Sequence, residues 1–221
     1  MATFAQRISE FIGSDYSTIA ANSNTDLFNA AVSEVADLAP PELLLKYAVG
    51  PILLDNGTPT WTSVEGRKVL LVVRLDASGG VERECMPVSI EDFALAKDAT
   101  SIYLATKHSP VFAYTTTGGD TSLSIYPVPT ASETAKIYYF AYTSISDLAV
   151  STITGLPNEI EQAVVLKACI NILQAYISDF VQEEEDSEMQ SMINAQIQSL
   201  TAQYRSELSR FTEQDATPRG E

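Results

Sequence analysis

The sequence predicts an α+β fold of three parts: short N-terminal helices, a small antiparallel β-domain with hairpins, and a C-terminal antiparallel helical hairpin. Two changes of period and one limit of composition predict it. Apolar residues recur at helical spacing before residue 50, β-branched and aromatic runs broken by turn dipeptides fill the middle, and helical spacing returns beyond 150. An apolar content of 45% over 221 residues is ample for a hydrophobic core. The expected boundaries are 1–57 for the helical segment, 58–150 for the β-domain, 151–214 for a helical hairpin packed with the N-terminal helices, and 215–221 for a flexible tail.

Phe4, Ile8, Phe11 and Ile12 mark the first helix, and Leu27, Phe28, Ala31, Val35 and Leu38 the second. Pro40 and Pro41 end the second helix, and Pro41-Glu42 opens a third through Leu43, Leu44, Leu45 and Tyr47, closed by Gly50-Pro51. In the middle, Arg67 to Leu75 and Val81 to Pro87 flank the turn 76–80 and read as one hairpin. Val111 to Thr115 and Ser122 to Tyr126 flank Thr116 to Asp120 and read as a second, with Leu123 and Ile125 on one face. Ile90 to Lys97 suits a short helix between them. Ile137 to Tyr142 is apolar at nearly every position, which predicts a central strand covered on both faces.

Leu156-Pro157-Asn158-Glu159 is a helix start, with acids in the first turn. The helix that follows, to about Val181, has a single narrow polar stripe of Lys167, Asn171, Gln174 and Ser178. So much apolar surface is expected to need more cover than one chain supplies, which makes Ile160, Val164, Leu166, Ile170, Leu173 and Ile177 candidates for a subunit interface. Glu183 to Asp186 begins the last helix, along which Met189, Ile193, Ile197, Leu200, Tyr204, Leu208 and Phe211 step at threes and fours as one seam. From Asp215 the periodicity stops, as expected of a segment that orders on contact with a partner.

Composition also excludes classes of function. The chain has 29 acidic and 13 basic residues, a formal charge of −16, which disfavours a phosphate-neutralising face. Its densest basic group, Arg67, Lys68 and Arg74, reads as ordinary surface of one hairpin. The aromatic group Tyr138, Tyr139, Phe140 and Tyr142 reads as core and interface rather than a platform for stacked bases. No run approaches the ~18 apolar residues that suggest a membrane span, and the first thirteen residues do not look like a secretory signal.

Catalytic and metal chemistry find little support. His108 is the only histidine, and Lys107-His108-Ser109-Pro110 lacks the elbow of a hydrolytic serine. Cys85 and Cys169 are isolated and read as core residues, and Gly79-Gly80 and Gly118-Gly119 sit in turns with no phosphate-binding lysine. Glu183 to Asp186 lacks the spacing of a calcium loop. The expectation is therefore a structural protein, not an enzyme, with no cofactor and no metal.

The order of Pro110 to Tyr114, Leu123 to Pro129 with its Tyr-Pro-x-Pro ending, the Tyr-rich Ile137 to Tyr142, and Leu156 to Glu161 resembles the head-to-tail adaptor (connector, neck) proteins of tailed bacteriophages. The resemblance spans roughly residues 100 to 212 and leaves the role of hairpin 67–87 open. It implies a virion protein at the neck, present in the host cytoplasm during assembly. It further implies a homo-oligomeric ring, usually of twelve copies, bound to the portal protein and to a tail or nozzle protein, with phage DNA passing through its channel unbound and no membrane involved. Portal docking would then fall to Phe211, Asp215, Pro218, Arg219 and Glu221. Competing readings are another neck or tail component, such as a tail-completion or tube-associated protein, and a soluble binding module.

Overall fold

The computed structural model describes residues 2–13, 24–55, 58–76, 80–117, 120–130, 133–180 and 187–214. The chain divides into a helical unit, residues 1–44 with 142–221, and a β-rich unit, residues 45–141, inserted between its halves. The fold class is α+β, as the periodicities predict.

In the helical unit, α1 (Phe4–Ile12) starts at a capping box. Thr3 Oγ1 accepts the Gln6 amide while Gln6 Oε1 accepts the Thr3 amide, at 3.3 and 3.0 Å. The helix ends at Gly13, whose φ of 83° suits glycine. Phe4, Ile8 and Ile12 form its buried face. α2 (Asn24–Leu38) buries Phe28, Ala31, Val32, Val35 and Ala36, and the Phe4 and Phe28 rings meet at 4.8 Å. The short α3 (Pro41–Leu45) follows, with proline in its first turn.

β1 to β8 and α4 belong to the β-rich unit. Its strands are β1 (Val49–Leu54), β2 (Thr60–Trp61), β3 (Arg67–Leu75), β4 (Glu82–Glu84), β5 (Met86–Pro87), β6 (Val111–Thr117), β7 (Asp120–Tyr126) and β8 (Ala135–Ala141), with α4 (Ile90–Lys97) before β6. They make two four-stranded sheets, ordered β1-β8-β3-β4 and β2-β7-β6-β5. The sheets share one core, in which Trp61, Val72, Phe112, Leu123, Ile125, Ile137 and Tyr139 are buried. Leu123 and Ile125 do share the inward face of β7. Every strand pair is antiparallel except β5 with β6.

Three local readings need correction. The sequence closes the third helix at Gly50-Pro51, but α3 ends at Leu45 and those residues lie inside β1, paired with β8 through a bulge between Val49 and Ile52. Gly50 has φ 120°, and a Cβ there would lie 3.0 Å from the Ile137 carbonyl oxygen. Second, Val81 to Pro87 is not one strand. The chain leaves the first sheet after β4, bends at the buried Cys85, whose amide donates to the Val72 carbonyl at 2.8 Å, and joins the second sheet as β5. Third, β8 is central in its sheet, and on its other face Phe140 is buried while Lys136 and Tyr138 are only half-buried, so the cover on that side is uneven.

The remaining helices, α5 (Asn158–Phe180) and α6 (Ser187–Gln214), complete the helical unit as an antiparallel hairpin. Tyr176 Oη lies 3.7 Å from Met189 Sδ, and further back along α5 Lys167 Nζ sits 6.0 Å from the centre of the Tyr204 ring. Falling numbers on α5 thus meet rising numbers on α6. The expected seam of α6 is buried or half-buried from Met189 to Phe211. Glu183 to Asp186 and the tail from Asp215 lie outside the described residues.

α5 is long and apolar enough to cross a bilayer by length and composition, contrary to the reading that no segment approaches that limit. Burial accounts for it: α1, α2 and α6 all pack on α5. Two substitutions probe these units. Gly50→Ala should destabilise, by strain at φ 120° and contact with Ile137, seen as a lower urea midpoint. Tyr204 is buried and its hydroxyl has no hydrogen-bond partner among the described residues. Tyr204→Phe should therefore leave stability unchanged or raise it by about 1 kcal/mol, and a clear loss would show that the hydroxyl is satisfied.

Candidate functional site: surfaces for assembly

The motifs singled out in the sequence are held by ion pairs, one buried and one partly buried. Arg74, in β3, is 2% exposed, so its reading as ordinary hairpin surface is corrected. Its guanidinium donates to Glu133 Oε2 at 2.7 Å, to the Pro127 carbonyl at 2.9 Å, to the Leu75 carbonyl at 3.0 Å and, at the 3.5 Å limit, to the Val128 carbonyl. Glu133 Oε2 also accepts the Thr130 amide at 2.9 Å. The Tyr-Pro-x-Pro segment, which contains the cis bond Tyr126–Pro127, is thereby tied to the centre of the first sheet. Arg67 is spent internally too. It lies over the Trp61 and Tyr139 rings at 5.4 and 4.9 Å and donates to the Ser63 carbonyl.

The Leu-Pro-x-Glu start of α5 is fixed in a similar way. Leu156 is buried, and Glu161 accepts the Ile153 amide on one oxygen and Arg7 of α1 on the other, at 3.3 and 3.4 Å. Arg7 also donates to Gln162 at 2.9 Å. Across the same unit Lys167 pairs with Glu34 of α2 at 2.8 Å, and Asn171 donates to the Leu27 carbonyl at 3.4 Å. Half of the polar stripe on α5 therefore faces α2 rather than solvent.

The candidate interface residues of α5 are largely covered in the single chain. Ile160, Val164, Leu166, Ile170 and Leu173 are all buried within their own helical unit, and Ile177 is half-buried. The premise that one chain cannot cover α5 is corrected, because α1, α2 and α6 supply that cover. Of the expected docking residues, Phe211 is buried at the end of the α6 seam, while Asp215, Pro218, Arg219 and Glu221 lie outside the described residues.

His108 is exposed on a loop, with Nδ1 3.9 Å from Asp76 Oδ2. Asp76 also accepts Arg83 Nε at 3.2 Å and the Val81 amide at 3.1 Å, which hold its carboxyl below the usual range against the opposing effect of desolvation. That arrangement ties the end of β3 to the start of β4. Cys85 and Cys169 are free and buried, and burial pushes both thiols up to about 12, so they behave as small apolar residues. Among the described residues no group of three or more His, Cys, Asp or Glu side chains is placed to hold a metal ion.

What sequence periodicity missed is an exposed apolar surface on the β-rich unit. Ile102 is 92% exposed, Tyr103 68% and Ile90 60%, with Leu95 and Leu104 beside them in sequence and also exposed. The signal was present in Ala99 to Thr106, a run with no charged residue in an acidic chain. Large exposed apolar groups of this kind mark contact sites.

A chain whose ion pairs are used to brace motifs, and whose apolar side chains are displayed on a tied loop, belongs with proteins that work by docking to others. The model of the SU10 adaptor protein family matches residues 1–220, and the chain belongs to that family. The match extends the resemblance seen at 100–212 over the N-terminal hundred residues, including hairpin 67–87. The chain is thus a phage adaptor protein at the level of its family, with a structural role in the virion. No curated protein matches the chain.

Arg74→Met should destabilise by about 3–5 kcal/mol, because it strands a buried carboxylate and three carbonyl acceptors. The pH dependence follows from Glu133. The Thr130 amide and hydroxyl, with Arg74, hold its carboxyl below the ordinary range against desolvation. A carboxyl depressed on folding stabilises the native state above its unfolded pKa, and that contribution is lost as pH falls through the folded value. Wild type should therefore lose stability on acidification more steeply than Glu133→Gln in matched urea melts; equal slopes would sink this assignment.

Proposed function

We propose that the chain is a non-enzymatic head-to-tail adaptor that forms a ring beneath the portal, usually of twelve copies, and joins the capsid to a tail or nozzle protein. The observation that carries this reading is the family match over nearly the whole chain. The acidity supports the accompanying role of the ring as a passage for DNA. At −16 per copy, a lumen that shares in the charge repels phosphates and lets DNA slide during packaging and ejection. The ring sits in the neck of the virion and is assembled in the host cytoplasm.

Imaging of the native particle tests this directly. A twelvefold ring of this chain between portal and tail is expected; a sixfold or threefold ring in the tail would instead assign it to tail completion or the tube. A second test concerns the segment Asp215 to Glu221, proposed to dock on the portal with Phe211 at its root. Its deletion should leave thermal melting unchanged and abolish co-sedimentation with portal-bearing capsids. Retained co-sedimentation would remove the tail from the docking surface.

A further inference from the structure

We infer that the fold holds a conformational order: the helical unit opens and bares α5 while the β-rich unit keeps its structure, and the opposite form, a closed helical unit with an open β-rich unit, is suppressed.

The β-rich unit is complete in itself. Its core, which runs from Leu54 and Trp61 through Val72, Phe112 and Leu123 to Tyr139, is drawn entirely from residues 45–141. Both partners of its buried ion pair, Arg74 and Glu133, come from the same stretch, as do all the strands of its two sheets. Its first and last strands pair with each other, so its sheets are finished without help from the residues on either side. Opening the helices leaves that interior dry and its ladders intact.

No one stretch of the chain completes the helical unit. α1 and α2 precede residue 45, α5 and α6 follow residue 141, and α5 is enclosed only when both sets have met. The polar bonds across the break are only partly buried. Arg7 reaches Glu161 at 3.4 Å, Lys167 reaches the exposed Glu34 at 2.8 Å, and the Asn29 side chain makes two bonds with the Ile145 backbone at 3.0 and 2.9 Å. Ion pairs with a partner in water add little. α1 has nine residues and α2 fifteen, lengths at which an isolated helix is marginal, so both fray once they leave α5.

The two units are coupled through the ends of the insert. With β1 paired to β8, Val49 lies opposite Tyr139, and the two parts of the helical unit begin from neighbouring points. With the β-rich unit open, the same two parts must stay together across the whole disordered length of 45–141, an entropic cost that rises with that length. An open β-rich unit therefore takes stability from the helices, while open helices leave the β-rich unit all the stability of its own core.

Unfolding of the full chain in urea, followed by two probes, tests the order. Trp61 is the only tryptophan, and its ring lies 5.1 Å from that of Tyr139 in the β-rich core, so its fluorescence reports that unit. Far-UV ellipticity reports chiefly the helices. Ellipticity should be lost at a lower urea midpoint than the fluorescence change. Val35→Ala, in the core face of α2, should lower the ellipticity midpoint and leave that of Trp61 where it was. Leu123→Ala should bring the Trp61 curve down to the ellipticity curve without crossing it. If that variant does not fold, Ile137→Val is the milder change and should lower the Trp61 midpoint alone. Hydrogen exchange should show α1, α2 and α5 exchanging at urea concentrations that leave β3, β7 and β8 protected. Coincident curves in the wild type, a Trp61 change ahead of the ellipticity in any variant, or equal protection of both units overturns the inference.

Discussion

The covering of α5 is the constraint on which the helical unit depends. A helix with one narrow polar stripe cannot face water, and at least three neighbours are needed to enclose it. Those neighbours come from both ends of the chain, α1 and α2 before the β-rich unit and α6 after it. The unit therefore cannot form until residues more than a hundred positions apart in sequence have met. The pairs Arg7–Glu161 and Lys167–Glu34 then fix how the early helices sit along α5. Partly buried pairs add little net stability, but they penalise a helix that slides by one turn.

In the β-rich unit the corresponding device is Arg74. A guanidinium near the end of an inner strand is costly to bury unless its donors are used, and here they are distributed over one carboxylate and backbone carbonyls. The result is that the irregular residues 127–130, together with Glu133, are held to a regular sheet. That explains why the Tyr-Pro-x-Pro piece can serve as a landmark: its backbone carbonyls, not its side chains, are what the interior reads.

Much of this was legible in the sequence, and the failures have physical causes. Helical period located α1, α2, α4, α5 and α6, and the spacing of Leu123 and Ile125 set the inward face of β7. β1 was lost because glycine and proline read locally as terminators, while its pairing with β8 is a long-range fact that tolerates both. The change of sheet at Cys85 leaves no trace in period, since two short strands in line look like one. Arg74 was taken for surface because charge usually is, and all its partners but the neighbouring Leu75 are 53 to 59 positions away. For α5, the pattern revealed how much surface needed covering but could not say by whom. The exposed loop leaves no periodic trace, because a short uncharged run between a helix and a strand has the texture of an ordinary connection.

The pairing of β1 with β8 places the first and last strands of the inserted unit side by side, with Val49 opposite Tyr139. A segment of nearly a hundred residues therefore leaves the helical unit and returns to it through two adjacent points. Such an insertion adds almost no loop to be closed in the host. It is in effect a cassette: a change in the length or chemistry of its loops and sheet edges need not move the two neighbouring ends by which the chain enters and leaves it.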